Sequence, residues 1–126
     1  MKKKWISKWR RSVQPRKQRK FRANAPLHVA RKFMRVRLAK DLKQKYGKRN
    51  FSVRNGDSVK IMSGEYKGKL LKVGRVDIKH RLVYPENLFL TKKDGNKIQI
   101  GIQPSNLMIM SLNLDDKRRK EALGRK

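Results

Sequence analysis

Residues 55–76 read NGDSVKIMSGEYKGKLLKVGRV, and their pattern indicates the fold of the chain. Val59 and Ile61 alternate with polar neighbours, a period of two that is typical of a strand with one buried face. A second apolar run ends the stretch, and Gly64 and Gly68 bracket the loop between the two runs. Because a tight loop needs backbone conformations that L side chains avoid, we expect positive φ at both glycines. These residues therefore predict two strands joined by a short turn.

The same period continues beyond this stretch. Four more short apolar runs, separated by turn-forming residues, follow at residues 82–84, 88–90, 98–102 and 107–110. The pair Asp94-Gly95 is the strongest single hairpin signal among those turns. Several short strands at this spacing predict a mainly β fold, a small barrel that occupies residues 51–112.

Composition narrows the kind of partner. The chain has 126 residues, 37 Lys and Arg against 9 acids, and a formal net charge of +28. The length predicts one domain. A chain this basic repels itself and needs a polyanion to be compact, either nucleic acid or an anionic membrane surface. The longest apolar run is far shorter than the roughly 20 residues that span a bilayer, so no membrane insertion is expected. No apolar segment follows the basic N-terminus, so we predict a cytosolic protein.

Metal and cofactor chemistry find little support in the sequence. No cysteine is present, which excludes disulfides and thiolate sites, and two histidines are too few ligands for most zinc sites. Asp57, Glu65 and His80 show no spacing that indicates a nucleophile with its base or a carboxylate pair. The sequence also lacks the glycine-rich phosphate loop of nucleotide-binding enzymes. We therefore expect no enzyme, no cofactor, no metal and no small-molecule substrate.

The positive charge is concentrated at the N-terminus. The first 54 residues carry 21 Lys and Arg and one acid, Asp41. We therefore divide the chain into a basic N-terminal extension with short helices (1–50), the barrel (51–112) and a C-terminal helical tail (113–126). Residues 14–22 show no apolar face, so we expect them to be disordered alone and to become fully ordered only on a partner.

Two helices are predicted within the extension. One begins near Asn24-Ala25-Pro26, with Leu27, Ala30, Phe33 and Met34 on one face. The other runs from Lys40 to Tyr46 and ends at Gly47.

The cationic side chains of the extension and of the glycine loop are the candidate RNA-binding residues. For the extension, the alternative is a solvated charge run or a nuclear-import patch. However, so large an excess of Lys and Arg over acids causes mutual repulsion unless counterions are bound. For the loop lysines, the alternative is an ordinary exposed strand surface. The candidates are Arg16, Lys17, Arg19, Lys20, Arg22, Arg31, Lys32, Arg35, Arg37, Lys67, Lys69 and Lys72.

Two tryptophans near the N-terminus have no decided role. Trp5 and Trp9 are four residues apart, so a helix would place them on one side. They could anchor on a base or a neighbouring protein, pack together, or stay disordered.

Residues 55–76 also resemble a KOW motif, on Asn55-Gly56-Asp57, Ser63-Gly64 and Lys67-Gly68-Lys69. This motif occurs in several ribosomal proteins and in transcription and translation elongation factors. The flanking blocks narrow the choice: QPRKQRKFRANAPLHVARKFM (14–34), LAKDLKQKYGKRNFSVRNGD (38–57) and PSNLMIMSLNLDDKRRKEAL (104–123). All three resemble the archaeal and eukaryotic form of the large-subunit ribosomal protein numbered twenty-four in bacteria and twenty-six in eukaryotes. Leu71, where that family usually has glycine, and residues 84–88 depart from its pattern.

The resemblance implies an SH3-like barrel in a structural constituent of the large ribosomal subunit. It implies binding to large-subunit ribosomal RNA early in assembly, near the exit of the peptide tunnel and beside neighbouring ribosomal proteins. The location would be cytoplasmic, with nuclear or nucleolar transit if the source is eukaryotic. The alternative is a KOW-containing transcription or translation elongation factor, although such factors carry a further domain. A cationic membrane-surface protein is a third possibility, but it needs a broader apolar helical face.

Overall fold

A computed structural model describes residues 4–125 of the chain. Its helices are α1 (Pro15–Ala23), α2 (Leu27–Ala30), α3 (Lys40–Tyr46) and α4 (Lys117–Gly124). Its strands are β1 (Arg35–Leu38), β2 (Asn50–Ser52), β3 (Ser58–Ile61), β4 (Leu70–Asp77), β5 (Leu82–Pro85), β6 (Phe89–Thr91), β7 (Lys97–Gln99) and β8 (Leu107–Ser111). Short 3-10 helices span Ser7–Arg11, Arg31–Met34 and Pro104–Asn106.

The fold is mainly β. Six strands form one mixed sheet in the order β2-β1-β8-β3-β4-β5, in which only β1 and β8 run parallel. β6 and β7 form a separate antiparallel hairpin. Within residues 4–125 the sheet ends at β2 and β5, which do not pair with each other, so the ladder is open.

The core lies on one face of the six-stranded sheet. Val36, Val59, Val83 and Ile109 are completely buried, and their neighbours along each strand point outward. Each fully buried aliphatic side chain stabilises the fold by about 1.5–3 kcal/mol. The predicted period of two is therefore confirmed in these strands, where it determines which side chains face outward, whereas Phe89, Leu90 and Ile98 in β6 and β7 are exposed.

The predicted turns are also confirmed. Gly64 and Gly68 adopt φ angles of +92° and +89° in the β3–β4 loop. Gly95 has φ +80° in the β6–β7 turn, and Gly47, at φ +61°, ends α3. The helix after Pro26 forms as α2 and continues as the 3-10 helix Arg31–Met34, although Leu27 is 58% exposed and does not join its buried face.

The sheet reaches back into the predicted extension. β1 pairs with both β2 and β8, and therefore lies inside the sheet although it precedes residue 51. Its four residues alternate arginine with aliphatic side chains, and so short a pattern is hidden within a basic stretch. The division of function at residue 50 stays a prediction.

Residues 14–22 were predicted to lack an apolar face, and this is wrong at Phe21. Phe21 is buried in α1, and its ring centroid lies 5.4 Å from Trp5 and 6.2 Å from Phe33. The Trp5 indole Nε1–H donates to the Phe21 carbonyl oxygen at 3.1 Å. Trp5 therefore has a packing role in this structure.

The two departures from the family pattern fit ordinary local structure. Leu71 sits opposite Val59 in the β3–β4 ladder and packs against the core. Pro85 ends β5, an edge strand where a missing N–H is tolerated. Asn87 turns the chain with φ +59°, and Leu88 is buried beyond it.

The predicted tail helix forms as α4, and one arginine attaches it to the sheet. Arg119 and Asp57 are 3% and 0% exposed, and both guanidinium Nη atoms lie 2.6 Å from carboxylate oxygens of Asp57. Arg119 also donates to the carbonyl oxygens of Asn113 and Ser52. The Asp57 carboxylate accepts from the backbone N–H groups of Arg54 and Asn113 as well.

Candidate RNA interface

All twelve predicted RNA-binding residues are exposed in the structure. The ion pairs within residues 4–125 use Arg54, Arg75, His80 and Arg119, and none of the twelve. Their charges are therefore available to an external anion. They are spread over several elements and do not form one pocket.

The acids that do form ion pairs are engaged internally. The hydrogen bond from the His80 side chain lowers the pKa of Asp77, and the Arg54 side chain lowers the pKa of Asp116. Asp116 also caps α4 by accepting from the Arg118 N–H at 2.9 Å. These carboxylates neutralise neighbours within the fold and leave the outer cations uncompensated.

The first group of cations lies on the extension. α1 carries Arg16, Lys17, Arg19, Lys20 and Arg22. A groove of about 650 Å³ runs beside this helix, with Trp5 and Phe21 in its wall. Its cationic lining consists of Lys8, Arg10, Arg11 and Lys32. Of these four, only Lys32 is among the predicted RNA-binding residues, although Lys8, Arg10 and Arg11 also lie in the basic N-terminal extension.

The second group lies on the outer face of the sheet. Arg37 is directly opposite Met108, Met108 is opposite Lys60, and Lys60 is opposite Leu70. Residues opposite one another in a ladder project to the same face, so this row crosses four strands. Arg35 lies on the same face of β1, two residues from Arg37. Lys60 was missed because its neighbours across the sheet follow from strand register, which the sequence does not contain.

The third group is at the glycine loop. Lys67 and Lys69 are exposed there, and the Lys69 ammonium lies 5.0 Å from the Tyr66 ring centroid. Free backbone N–H groups at a glycine turn flanked by lysines would also favour phosphate. However, the amides of Lys67, Gly68 and Lys69 donate to carbonyl oxygens of Gly64, Ile61 and Tyr66. The loop therefore offers its ammonium groups rather than these amides. Lys72 follows on β4, opposite Ser58.

One further arginine was not predicted. Arg81 lies at the end of the β4–β5 turn, and its guanidinium carbon is 5.0 Å from the Phe33 ring centroid. Arg22 stacks at 5.9 Å from the same ring. Arg22 and Arg81 are far apart in sequence, so no local pattern predicts that both contact the Phe33 ring. That contact depends on how the extension docks.

Two other kinds of site are absent from the part of the chain that the structure describes. No cluster of three or more histidines and acids arranged to hold a metal occurs between residues 4 and 125. No helix among these residues has the length and apolar character needed to cross a membrane.

Similarity to known proteins extends over nearly the whole chain. Residues 12–126 match the family model that describes the eukaryotic L26 ribosomal proteins together with their archaeal L24 counterparts. The chain is similar to the large ribosomal subunit protein uL24 of Methanosphaera stadtmanae, at 46% identity over 91% of this chain and 98% of that protein. It is also 46% identical to the protein of the same name from Methanosarcina barkeri, over 89% of this chain and 97% of the other. A third relative so named, from Methanocorpusculum labreanum, is 46% identical over 83% of this chain. The chain therefore belongs to the family of archaeal and eukaryotic ribosomal proteins that this model describes.

Proposed function

We propose that the protein is a structural constituent of the large ribosomal subunit, in the archaeal form of its family, and that it has no enzymatic activity. The family match and the names of the archaeal relatives support the assignment. The structural observation that carries it is the set of twelve exposed cations, none of which is paired with an acid within residues 4–125.

The cations fit contacts with the backbone of large-subunit ribosomal RNA. Phosphate contacts position a protein on RNA, whereas sequence reading requires access to unstacked bases. Flexible lysines and exposed arginines on α1, β1 and the glycine loop suit the first task. We therefore assign most of the affinity to phosphates and little to base reading.

We propose that this open sheet has an SH3-like arrangement. Two features support it: the register of β4 with β5 shifts between Val73 and Arg75, as at the bulges that bend strands, and Val83 bridges to Ile102. We propose that residues 51–112 form the RNA-docking module and that residues 1–50 act mainly as the basic extension. β1, although inside the sheet, would serve both.

Position and timing within the ribosome follow from the family resemblance. We propose binding early in assembly, near the exit of the peptide tunnel, with neighbouring ribosomal proteins in contact. The archaeal relatives favour a cytoplasmic location.

Fractionation of cells tests the assignment. The protein should sediment with the large subunit and remain there through a high-salt wash, because many phosphate contacts act together. Recovery of the protein with RNA polymerase would instead favour the alternative, a KOW-containing transcription elongation factor. Recovery with translation factors released by the wash would favour the other alternative, a translation elongation factor.

A further inference from the structure

The place where the extension meets the β4–β5 turn brings two arginines to one aromatic ring. Arg22 from α1 and Arg81 from the turn lie 5.9 and 5.0 Å from the Phe33 centroid. An Arg81 Nη donates to the Arg22 carbonyl oxygen, so the two segments are joined directly. Beside them is a cleft of about 180 Å³, also lined by Gln103 and Ser105.

This pair of charges has no acidic partner among the described residues. The nearby Asp77 carboxylate instead accepts from the N–H and the imidazole Nδ1 of His80, at 3.1 and 2.7 Å. Burial and the charge of Arg22 both lower the pKa of Arg81, which shows that the fold alone disfavours this cation. A bound anion would remove that penalty.

Arg81 also has an unused donor. Its Nε is buried and has no hydrogen-bond partner in the described part of the chain. A buried donor left unpaired is costly, and a guanidinium edge with free N–H groups matches the oxygens of a phosphate. Arg81 further adopts φ +60°, a conformation that favours glycine, and such residues cluster at functional sites.

We infer that the cleft between Arg22 and Arg81 binds one phosphate of the RNA backbone. This inference rests on the proposed function for the identity of the anion. The two guanidinium groups would share that phosphate, with the Gln103 amide and the Ser105 hydroxyl as neighbouring donors. The site therefore couples docking of the extension to binding of RNA at the sheet.

The test measures affinity of the full chain for a transcript of large-subunit ribosomal RNA across a salt series. Arg81→Asn removes the guanidinium, together with its hydrogen bond to the Arg22 carbonyl oxygen, and keeps a residue that tolerates positive φ. Circular dichroism should therefore show that the sheet of this variant is still folded, and Arg22→Gln keeps that backbone hydrogen bond. Arg22→Gln removes the other group. Lys79→Asn is the matched control, since it removes one exposed charge from the same turn, outside the cleft.

Loss of a charge-assisted hydrogen bond predicts roughly a 10- to 100-fold weaker affinity for Arg81→Asn and for Arg22→Gln. The double variant should lose less than the product of the two single losses, because both arginines hold one phosphate. In contrast, Arg81→Asn combined with Arg16→Gln should give the product. The Arg81 Nε–H resonance should also shift when the RNA binds.

Equal affinities for Arg81→Asn and Lys79→Asn, with the unaltered chain still binding tightly, would overturn the cleft and leave the proposed function standing. Failure of the unaltered chain to bind the transcript would overturn the proposed function itself. Titration with inorganic phosphate at low salt tests the phosphate site separately from the proposed function. A selective shift of the Arg81 Nε–H resonance in this titration would support a phosphate site in the cleft without RNA.

Discussion

Arg119 and Asp57 hold the tail against the first strand of the KOW-like stretch. Both are buried, and the guanidinium and carboxylate are joined by two hydrogen bonds of 2.6 Å. No local pattern marks the two residues as a pair, because Arg119 is one of four consecutive basic residues and Asp57 follows a turn glycine. Their pairing depends on contacts 62 positions apart.

Removing one partner of this pair should destabilise the fold strongly. Arg119→Leu leaves the Asp57 carboxylate buried without its cation, which costs about 3–5 kcal/mol in the free energy of unfolding. Urea unfolding of the full chain measures this. The control Arg118→Leu, on the exposed side of α4, should stay within about 0.5 kcal/mol of the unaltered chain. Equal effects of the two substitutions would show that the pair does not hold the tail.

Asp116 predicts a pH dependence at the acidic end. The Arg54 side chain and the Arg118 N–H lower its pKa below the ordinary 3.8. A depressed folded-state pKa contributes stability above the unfolded value, and this contribution is lost as the pH falls through the folded value. Unfolding midpoints of the chain and of Asp116→Asn should therefore differ at about pH 6 and converge well below pH 3.8. A constant difference down to the lowest pH would contradict this assignment.

Among the elements, the two ends of the chain are packed differently. The N-terminal segment packs through Trp5, Phe21 and Phe33, outside the main core. The tail contributes the buried Arg119, whose two Nη atoms donate to Asp57, and the buried Leu123. The ends should therefore differ in what they do for stability.

Two truncations test this difference. Deletion of residues 1–25 removes 11 of the 37 cations, so the sheet should stay folded while RNA affinity falls. Deletion of residues 113–126 leaves the Asp57 carboxylate without its Arg119 partner and should unfold or strongly destabilise the sheet. Circular dichroism and urea unfolding report the fold, and RNA titration reports the binding. An unfolded sheet after the first deletion would contradict the separation of roles.

The elements show which features the sequence could predict. The period of two in β3 and β8, the turn glycines and α3 depend on neighbours a few positions apart, and they are confirmed. The run predicted at residues 98–102 forms a strand only over Lys97–Gln99, with Ile98 43% exposed. β1 was missed because two arginines interrupt its pattern, and the Phe21 anchor was hidden within a basic run. The contact of Arg22 and Arg81 with Phe33 depends on how the extension docks. The row from Arg37 to Leu70 depends on strand register. Local sequence pattern specifies neither.

At the scale of the whole molecule, a net charge of +28 opposes compactness. α1 has nine residues and one buried side chain, shorter than the roughly 12–15 residues at which isolated helices become even marginally stable. We therefore expect α1 amides in the free protein to exchange with deuterium quickly. Binding of RNA should slow that exchange selectively, whereas β3 and β8 should be protected in both states. Equal protection of α1 with and without RNA would show that its order does not depend on the partner.

The salt dependence of RNA binding reports how many phosphates the exposed cations neutralise. With about 6–10 such contacts, the affinity of the full chain for large-subunit ribosomal RNA should fall roughly 10³–10⁵-fold between 50 and 200 mM salt. A nearly flat response over that range would contradict binding through the phosphate backbone.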